Sequence, residues 1–250
     1  MTDDDSRPGP TPFLPLQLDD PGRVLAIVAH PDDLEYGAAA VVAKWTTAGH
    51  EVCYVLATRG EAGIDGMAPA QAGPLREAEQ IAGAAVVGVT VVEFLNYPDG
   101  VVQYGLDLRR DLAAAIRRHR PDTVVLFNHR ETWGPGMLNS PDHRNVGKAA
   151  LDAIGDAGNR WVFTDLLDAG LEPHHVSRAL VTGSPEATHA IDVTEHIDAA
   201  VASLSEHRAY LEGLGDHPMA DPEFLRAFAQ MAGQRLNGSG AAVAFEVFAF

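Results

Sequence analysis

The sequence has one cysteine, few basic residues and no long apolar run, and each shortage argues against a class of protein. Cys53 has no partner for an internal disulfide, so a disulfide-stabilised scaffold is excluded. Only 18 Lys and Arg stand against 35 Asp and Glu, and the net charge of -17 would repel a phosphate backbone, so we expect no nucleic-acid partner. No apolar stretch reaches membrane length and no basic-then-apolar leader is present, so we expect a cytoplasmic protein without a membrane span.

The length and composition predict one structural domain. A chain of 250 residues, 46% of them hydrophobic, can bury a full core in a single unit. The first 22 residues mix Asp and Pro with little periodic apolar pattern, which is typical of a segment outside a packed core. We therefore expect residues 1–22 to form an N-terminal arm, mobile or strapped on the surface, and residues 23–250 to form the domain.

From Val24 onward, short apolar runs alternate with longer segments of helical period. This alternation predicts an α/β fold, in which a mostly parallel sheet has helices on both faces. The expected strands are residues 24–30, 51–58, 91–95, 122–128 and 179–183, with a closing strand at 242–250. The expected helices are residues 33–50, 74–88, 106–121 and 198–214.

Unusual polar clusters follow four of the expected strands. They are "HPDD" after the first, "TRGEAG" after the second, "NYPDG" after the third and "NHRETWG" after the fourth. Ligands of open parallel sheets bind beyond the carboxyl ends of the strands, so these four loops are expected to form one pocket. A nucleotide-binding protein is not favoured, because no G-x-G-x-x-G follows the first strand.

The tetrapeptide His30-Pro31-Asp32-Asp33 contains side chains that can bind and use a metal ion. His30 and Asp33 are three residues apart and can turn toward one cation, while Pro31 stiffens the turn between them. Asp32 is then left to take a proton from metal-bound water as a general base. The alternative is that Asp33 only caps the following helix.

A second cluster, "NSPDHRNVG" at residues 139–147, supplies His143 at the start of another segment with helical spacing. A catalytic zinc commonly takes three protein ligands and leaves one position for water. His30, Asp33 and His143 complete that number. The alternative for His143 is a surface or capping histidine.

An ordered set of motifs resembles the LmbE-like family of metal-dependent N-deacetylases, also called the PIG-L family. Its members include glucosaminyl-phosphatidylinositol deacetylase and the deacetylases of mycothiol and bacillithiol synthesis. The motifs are "AHPDD" at 29–33, "TRGEAG" at 58–63, Arg76 with Glu77, "FLNYPDG" at 94–100 and "PDHRNVG" at 141–147, with fainter matches at "EHRAYL" and the terminal "FEVF".

The resemblance implies a Rossmann-like fold and hydrolysis of an N-acyl group, typically N-acetyl, from an amino sugar or glycoconjugate. It implies zinc ligands at His30, Asp33 and His143, and a general base at Asp32 that activates the metal-bound water. Two imidazoles and a carboxylate also accept Fe²⁺ and other divalent ions. Relatives often assemble, which leaves a homo-oligomer open for this chain.

One position departs from the family pattern. Well-studied relatives have a histidine three residues before the third ligand, where it is thought to stabilise the oxyanion or to act as an acid; this chain has Ser140. A hydroxyl brings no positive charge, and loss of one oxyanion donor typically costs about 100- to 1,000-fold in rate. His129 and Arg130 are the nearest substitutes, although His129 could be an ordinary loop residue. The alternative function is a catalytically weak or inactive metal-bound relative that binds a saccharide-like ligand.

Three further residues are candidates for substrate contact. Arg59 and Glu61 could bind sugar hydroxyls, or could form an ion pair that holds the loop. Trp133 could be a platform for a sugar ring, or could anchor its loop by packing.

Overall fold

The computed structural model describes residues 11–250, and within this range the chain forms an eight-stranded sheet, a two-stranded hairpin and flanking helices. The strands are β1 (Leu14–Pro15), β2 (Val24–Val28), β3 (Val52–Leu56), β4 (Val91–Phe94), β5 (Thr123–Phe127), β6 (Thr132–Gly134), β7 (Met137–Leu138), β8 (Arg178–Thr182), β9 (His189–Asp192) and β10 (Ala242–Ala249). The helices are α1 (Asp33–Gly37), α2 (Ala39–Thr47), α3 (Pro69–Val86), α4 (Leu106–His119), α5 (Pro141–Gly158), α6 (Asp165–Asp168), α7 (Ile197–Leu204), α8 (Arg208–Gly213) and α9 (Phe224–Asn237), with a 3-10 turn at Pro218–Ala220.

The strand order of the large sheet is β1-β9-β10-β8-β5-β2-β3-β4. Every neighbouring pair is parallel except the two that involve β10, which runs antiparallel to β8 and β9. The central strands β2 and β3 are fully buried, as apolar runs in a sheet covered on both faces should be. The predicted single-domain α/β fold with a mostly parallel sheet is therefore confirmed.

The apolar core has one layer on each face of the sheet. Alternate side chains of β2 point to opposite faces: Val24, Ala26 and Val28 pack with α2 and α7, while Leu25 and Ile27 pack with α4 and α5. The covering helices therefore fix the central strand from both sides, and with it the loop at its carboxyl end.

Two expected helices are interrupted. The segment 33–50 breaks at Ala38, whose φ of -136° lies outside the helical region. The segment 198–214 divides into α7 and α8, and His207 lies at the break with a fully buried side chain. Helical periodicity continues through both breaks, so tertiary contacts rather than local sequence end these helices. Sequence patterns also missed α9 and β9.

The described part of the N-terminal segment lies against the sheet. Leu14 and Pro15 pair with β9, and the buried Phe13 ring lies 3.7 Å from the guanidinium carbon of Arg235. Residues 1–10 of the arm expected over residues 1–22 lie outside the described range. The expected boundary between arm and domain at residue 22 stays a prediction. Among the helices of residues 11–250, none combines the length and the hydropathy needed to cross a membrane.

Arg117 of α4 connects two helices from within the core. Its side chain is 2% exposed. Its guanidinium donates hydrogen bonds to the carbonyl oxygens of Ala157, Leu171, Asp156, Asn159 and Val162. Several of these carbonyls belong to the C-terminal end of α5, where a cation is also favoured by the helix dipole.

We expect Arg117→Met to lower the free energy of unfolding by about 3 kcal/mol, because it removes the charged donor that connects five carbonyl oxygens at and beyond the end of α5,. Urea denaturation monitored by circular dichroism measures the change. Arg118→Met is the matched control: Arg118 is about half exposed and pairs with Glu93 at 3.2 Å, so its loss should cost no more than about 1 kcal/mol. Equal losses in the two variants would contradict the role of Arg117.

Candidate metal centre and active site

The polar loops meet at the carboxyl ends of β2, β3, β4 and β5. His30 and Asp33 follow β2, and His143 lies in the first turn of α5, which begins after the hairpin that follows β5. Pro141 at the first position of α5 and the Ser140 cap before it fix where this helix begins,. A strand and a helix that are far apart in sequence thus bring the two imidazoles to one point.

Three of the sequence-predicted side chains converge closely. Asp33 Oδ1 lies 3.0 Å from His143 Nε2, and His30 Nδ1 lies 3.1 Å from the same nitrogen. One atom from each residue lies within 4.8 Å of the others. Two imidazoles and a carboxylate directed at one point are a donor set that suits a divalent cation. The residues present therefore fit such an ion.

Neighbouring side chains orient both imidazoles. His30 Nε2 lies 3.1 Å from Asp99 Oδ1 and 3.3 Å from Asp142 Oδ2, and His143 Nδ1 lies 2.9 Å from Asn139 Oδ1. The acceptor oxygens at these nitrogens favour a proton there, so His30 Nδ1 and His143 Nε2 are the atoms that would bind a cation. Such partners are typical of protein metal sites.

The electrostatic environment favours a charged carboxylate at Asp33. Burial acts to raise its pKa, but His143 and His30 hold the pKa of Asp33 well below its usual range. Asp33 Oδ2 also accepts hydrogen bonds from the backbone N–H groups of Ala29 and His30 at 3.1 and 2.9 Å. Burial acts to lower the pKa of His30, yet Asp142, Asp33 and Asp99 raise it well above the usual value. The cluster thus concentrates negative charge that a cation would neutralise.

Asp32 lies beside this cluster in an unusual backbone conformation. It has a φ of +85° and is only 5% exposed. Arg76 Nη2 lies 3.4 Å from Asp32 Oδ1 and donates to the carbonyl oxygen of Pro31, while Nη1 donates to that of Gly60, both at 2.8 Å. Burial raises the pKa of the Asp32 carboxyl to about 6, although Arg76 lowers it. A carboxyl of this kind can accept and return a proton near neutral pH.

Ser140 and Trp133 also lie next to the cluster. Ser140 Oγ accepts a hydrogen bond from the His143 backbone N–H at 3.1 Å, so its oxygen caps α5. The ring of Trp133 packs edge-on to His143 at 5.6 Å and to Phe127 at 5.2 Å between centroids. Trp133 is half-buried. Trp133 can therefore pack against His143 and still present part of its ring to a substrate.

The two proposed substitutes for the missing histidine, His129 and Arg130, contact residues outside the cluster. His129 packs against Gly147, and its ring centroid lies 6.2 Å from that of Phe248. Burial and the neighbouring Arg130 lower the pKa of His129, which disfavours a positive charge. Arg130 pairs with Glu246 and Glu186. Among the hydrogen bonds, ion pairs and ring contacts found within residues 11–250, none joins either side chain to His30, Asp33 or His143.

Arg59 and Glu61 do not form the ion pair that the sequence left open. Arg59 Nε donates to Glu77 at 2.5 Å, and its Nη1 donates to the carbonyl oxygen of Leu95. Glu61 Oε1 instead accepts from the Asp99 backbone N–H at 2.9 Å. Both side chains thus shape the loops around the site. Asp99, Asp142 and Asn139, which contact the two imidazoles, lie in motifs that the sequence singled out, but only the structure shows their part in the site.

Comparison with known proteins agrees with this geometry. The family model described as PIG-L, GlcNAc-PI de-N-acetylase, matches residues 25–154. Diacetylchitobiose deacetylase of Thermococcus kodakarensis is 28% identical, over 77% of this chain and 71% of that protein. The 1D-myo-inositol 2-acetamido-2-deoxy-alpha-D-glucopyranoside deacetylase of Kineococcus radiotolerans is 27% identical, over 76% of this chain and 69% of that protein.

A solved structure has the same architecture. It is the N,N'-diacetylchitobiose deacetylase from Pyrococcus horikoshii in complex with its inhibitor MPG. It aligns with a TM-score of 0.82 and 27% identity, covering 94% of this chain and 87% of that one. The family model spans more than half of this chain and includes His30, Asp32, Asp33 and His143. The chain therefore belongs to the PIG-L family, and it is a hydrolytic N-deacetylase.

Proposed function

We propose that this protein is a zinc-dependent hydrolase that removes the N-acetyl group from an N-acetylglucosamine-type amino sugar or glycoconjugate. The observation that carries the proposal is the convergence of His30, Asp33 and His143 beside the buried Asp32. Three ligands and an adjacent general base are the parts that metal-assisted amide hydrolysis requires. The similar proteins named above act on N-acetylated amino sugars, which supports this substrate class.

His30, Asp33 and His143 would hold the zinc ion, which when bound supplies a Lewis acid for the amide carbonyl and lowers the pKa of water. Asp32 accepts the proton of the attacking water, and Arg76 holds its carboxylate in place. Asp32 then returns the proton to the nitrogen as the amide C–N bond breaks, which releases acetate and a free amine. Trp133, packed against His143, offers its ring as a platform for the sugar.

Amine release from N-acetylglucosamine and N,N'-diacetylchitobiose tests this function. The protein would be stripped of metal, reconstituted with Zn²⁺ or Fe²⁺, and assayed for primary amine and acetate in equal amounts. We expect about one zinc per chain by elemental analysis. Failure to release amine from any N-acetylated amino sugar by metal-loaded protein would count against the proposal.

A second candidate is a weakly active or inactive relative that holds a saccharide-like ligand. The observation that favours it is Ser140, whose oxygen already accepts the His143 N–H and which carries no charge. Tight saccharide binding, with the ligand recovered intact, would favour this candidate.

Ser140→His distinguishes the two candidates. If the chemistry is limited by a missing proton donor at this position, the variant should hydrolyse N-acetylglucosamine conjugates about 10-fold or more faster. It should also lose about 1 kcal/mol of stability, because the helix cap is removed. Ser140→Asp, which keeps a capping side chain without adding a proton donor, is the control. An unchanged rate in Ser140→His would show that position 140 does not limit catalysis.

A further inference from the structure

A row of buried polar side chains lies behind Asp32 and has no part in the roles described so far. The Asp32 backbone N–H donates to Gln80 Oε1 at 2.9 Å, and Gln80 Nε2 donates to Glu35 Oε1 at 2.9 Å. Gln80 is 0% exposed and Glu35 is 2% exposed. A side chain of α3 thus connects the backbone of Asp32 to a carboxylate of α1.

The chemistry of the two partners fixes the orientation of the Gln80 amide. A backbone N–H only donates a hydrogen bond, and the Glu35 carboxyl oxygen accepts one from Gln80,. The Gln80 oxygen must therefore face Asp32, and its NH₂ group must face Glu35. An ionised carboxylate at position 80 would have no hydrogen to donate to Glu35, and an apolar side chain would satisfy neither partner.

On its other side, Glu35 faces the break between α7 and α8. Its Oε2 lies 3.6 Å from His207 Nε2, and neither side chain has any exposed surface. Ser203 Oγ lies 3.3 Å from Glu35 Oε1. Burial acts to lower the pKa of His207, but Glu35 raises it above its usual value. The helix break that sequence patterns did not predict thus places His207 against Glu35.

The backbone at Asp32 needs such support. A φ of +85° lies in the left-handed region, which costs a residue with a side chain about 1–3 kcal/mol,. If the backbone relaxed, the Asp32 carboxylate would leave the position beside Arg76 and the metal ligands. The contacts of Arg76 hold the carboxylate, but only Gln80 bonds to the Asp32 N–H among the hydrogen bonds found within residues 11–250.

We propose that Gln80, oriented by its hydrogen bond to Glu35, is a positioning residue that holds the Asp32 backbone in its left-handed conformation. The inference rests on the proposed role of Asp32 as general base. Gln80 touches neither substrate nor metal ligand in this role. It acts through the placement of one carboxylate.

Gln80→Met tests the proposal, because methionine keeps the length of the side chain and removes both hydrogen bonds. We expect kcat to fall about 10- to 100-fold, the scale of effect that a misplaced catalytic group produces. KM and the zinc content should stay within about twofold of the wild type, since neither the ligands nor the sugar site changes. Gln71→Met is the matched control, because Gln71 lies on the same helix with an exposed side chain.

Two further readouts separate positioning from general structural support. In an Asp32→Asn background, Gln80→Met should lower kcat no further, since the two residues act as one unit. Hydrogen exchange measured by mass spectrometry should become faster at the Asp32 amide in Gln80→Met. Full additivity with Asp32→Asn, loss of zinc in Gln80→Met, or unchanged kcat would each overturn the proposal.

The exchange measurement needs no substrate, so it separates failure of this inference from failure of the proposed function. If the wild type hydrolyses no N-acetyl amino sugar, unchanged exchange at Asp32 still counts against Gln80 alone. If the methionine variant does not fold, Gln80→Asn replaces it in the same experiments. Its amide is one methylene too short to reach both partners, so the same loss of kcat and the same faster exchange are expected.

Discussion

Replacement of Asp32 by asparagine is expected to lower kcat for amide hydrolysis about 1,000-fold while leaving the zinc content unchanged. General acid–base catalysis typically increases the rate about 100- to 10,000-fold. In the proposed mechanism, Asp32 acts first as the base and then as the acid. Asparagine keeps the shape of the side chain, and Arg76 keeps its bonds to two backbone carbonyls. The fold and the three metal-binding side chains should therefore persist.

Steady-state kinetics and elemental analysis of the same preparation check this result. Asp65→Asn is the control, because Asp65 is exposed in a loop and should keep the wild-type rate. A rate within tenfold of the wild type in Asp32→Asn would remove Asp32 from the chemistry and require another base.

Replacement of His143 by alanine is expected to abolish both metal binding and hydrolysis. The variant keeps only His30 and Asp33, and two ligands hold a divalent ion much more weakly than three. After dialysis against a chelator and return to buffer with about 1 µM zinc, we expect less than a tenth of a zinc per chain and a rate at least about 1,000-fold lower.

His175→Ala is the matched control for this experiment. His175 is exposed on the segment between α6 and β8, away from the cluster, so its loss should change neither zinc content nor rate. Full zinc content in His143→Ala would show that the ion binds elsewhere, and would contradict the assignment of all three ligands.

The sequence predicts those strands and site residues that can be recognised within a short stretch of the chain. Apolar runs between helical segments identify β2, β3 and β5, because burial on both faces leaves a pattern within five residues. His30, Asp32 and Asp33 are visible because three functional groups share one tetrapeptide. His143 can be recognised because it lies at the start of a segment with helical spacing. Each of these features can be recognised without knowing which strands are neighbours.

The parts that sequence does not predict depend on contacts between distant segments. Asp142 reaches His30 across 112 positions, and Gln80 reaches Asp32 across 48. Nothing in a helical pattern around Gln80 distinguishes it from a solvent-facing glutamine such as Gln71. The break at His207 places its side chain 3.6 Å from Glu35, which lies on another helix. The orientation of His129 likewise follows from the close approach of Gly147.

The antiparallel strand β10 has a consequence for the order of assembly during synthesis. The residues of the candidate metal centre lie before β6 or in the first turn of α5. The strand β10 comes later in sequence than the other strands of the sheet and lies between β8 and β9. Until β10 emerges from the ribosome, β8 has an unpaired edge that could pair with another chain. The half of the sheet that holds the ligands can therefore form early, while the protein stays vulnerable to aggregation until its sheet is completed.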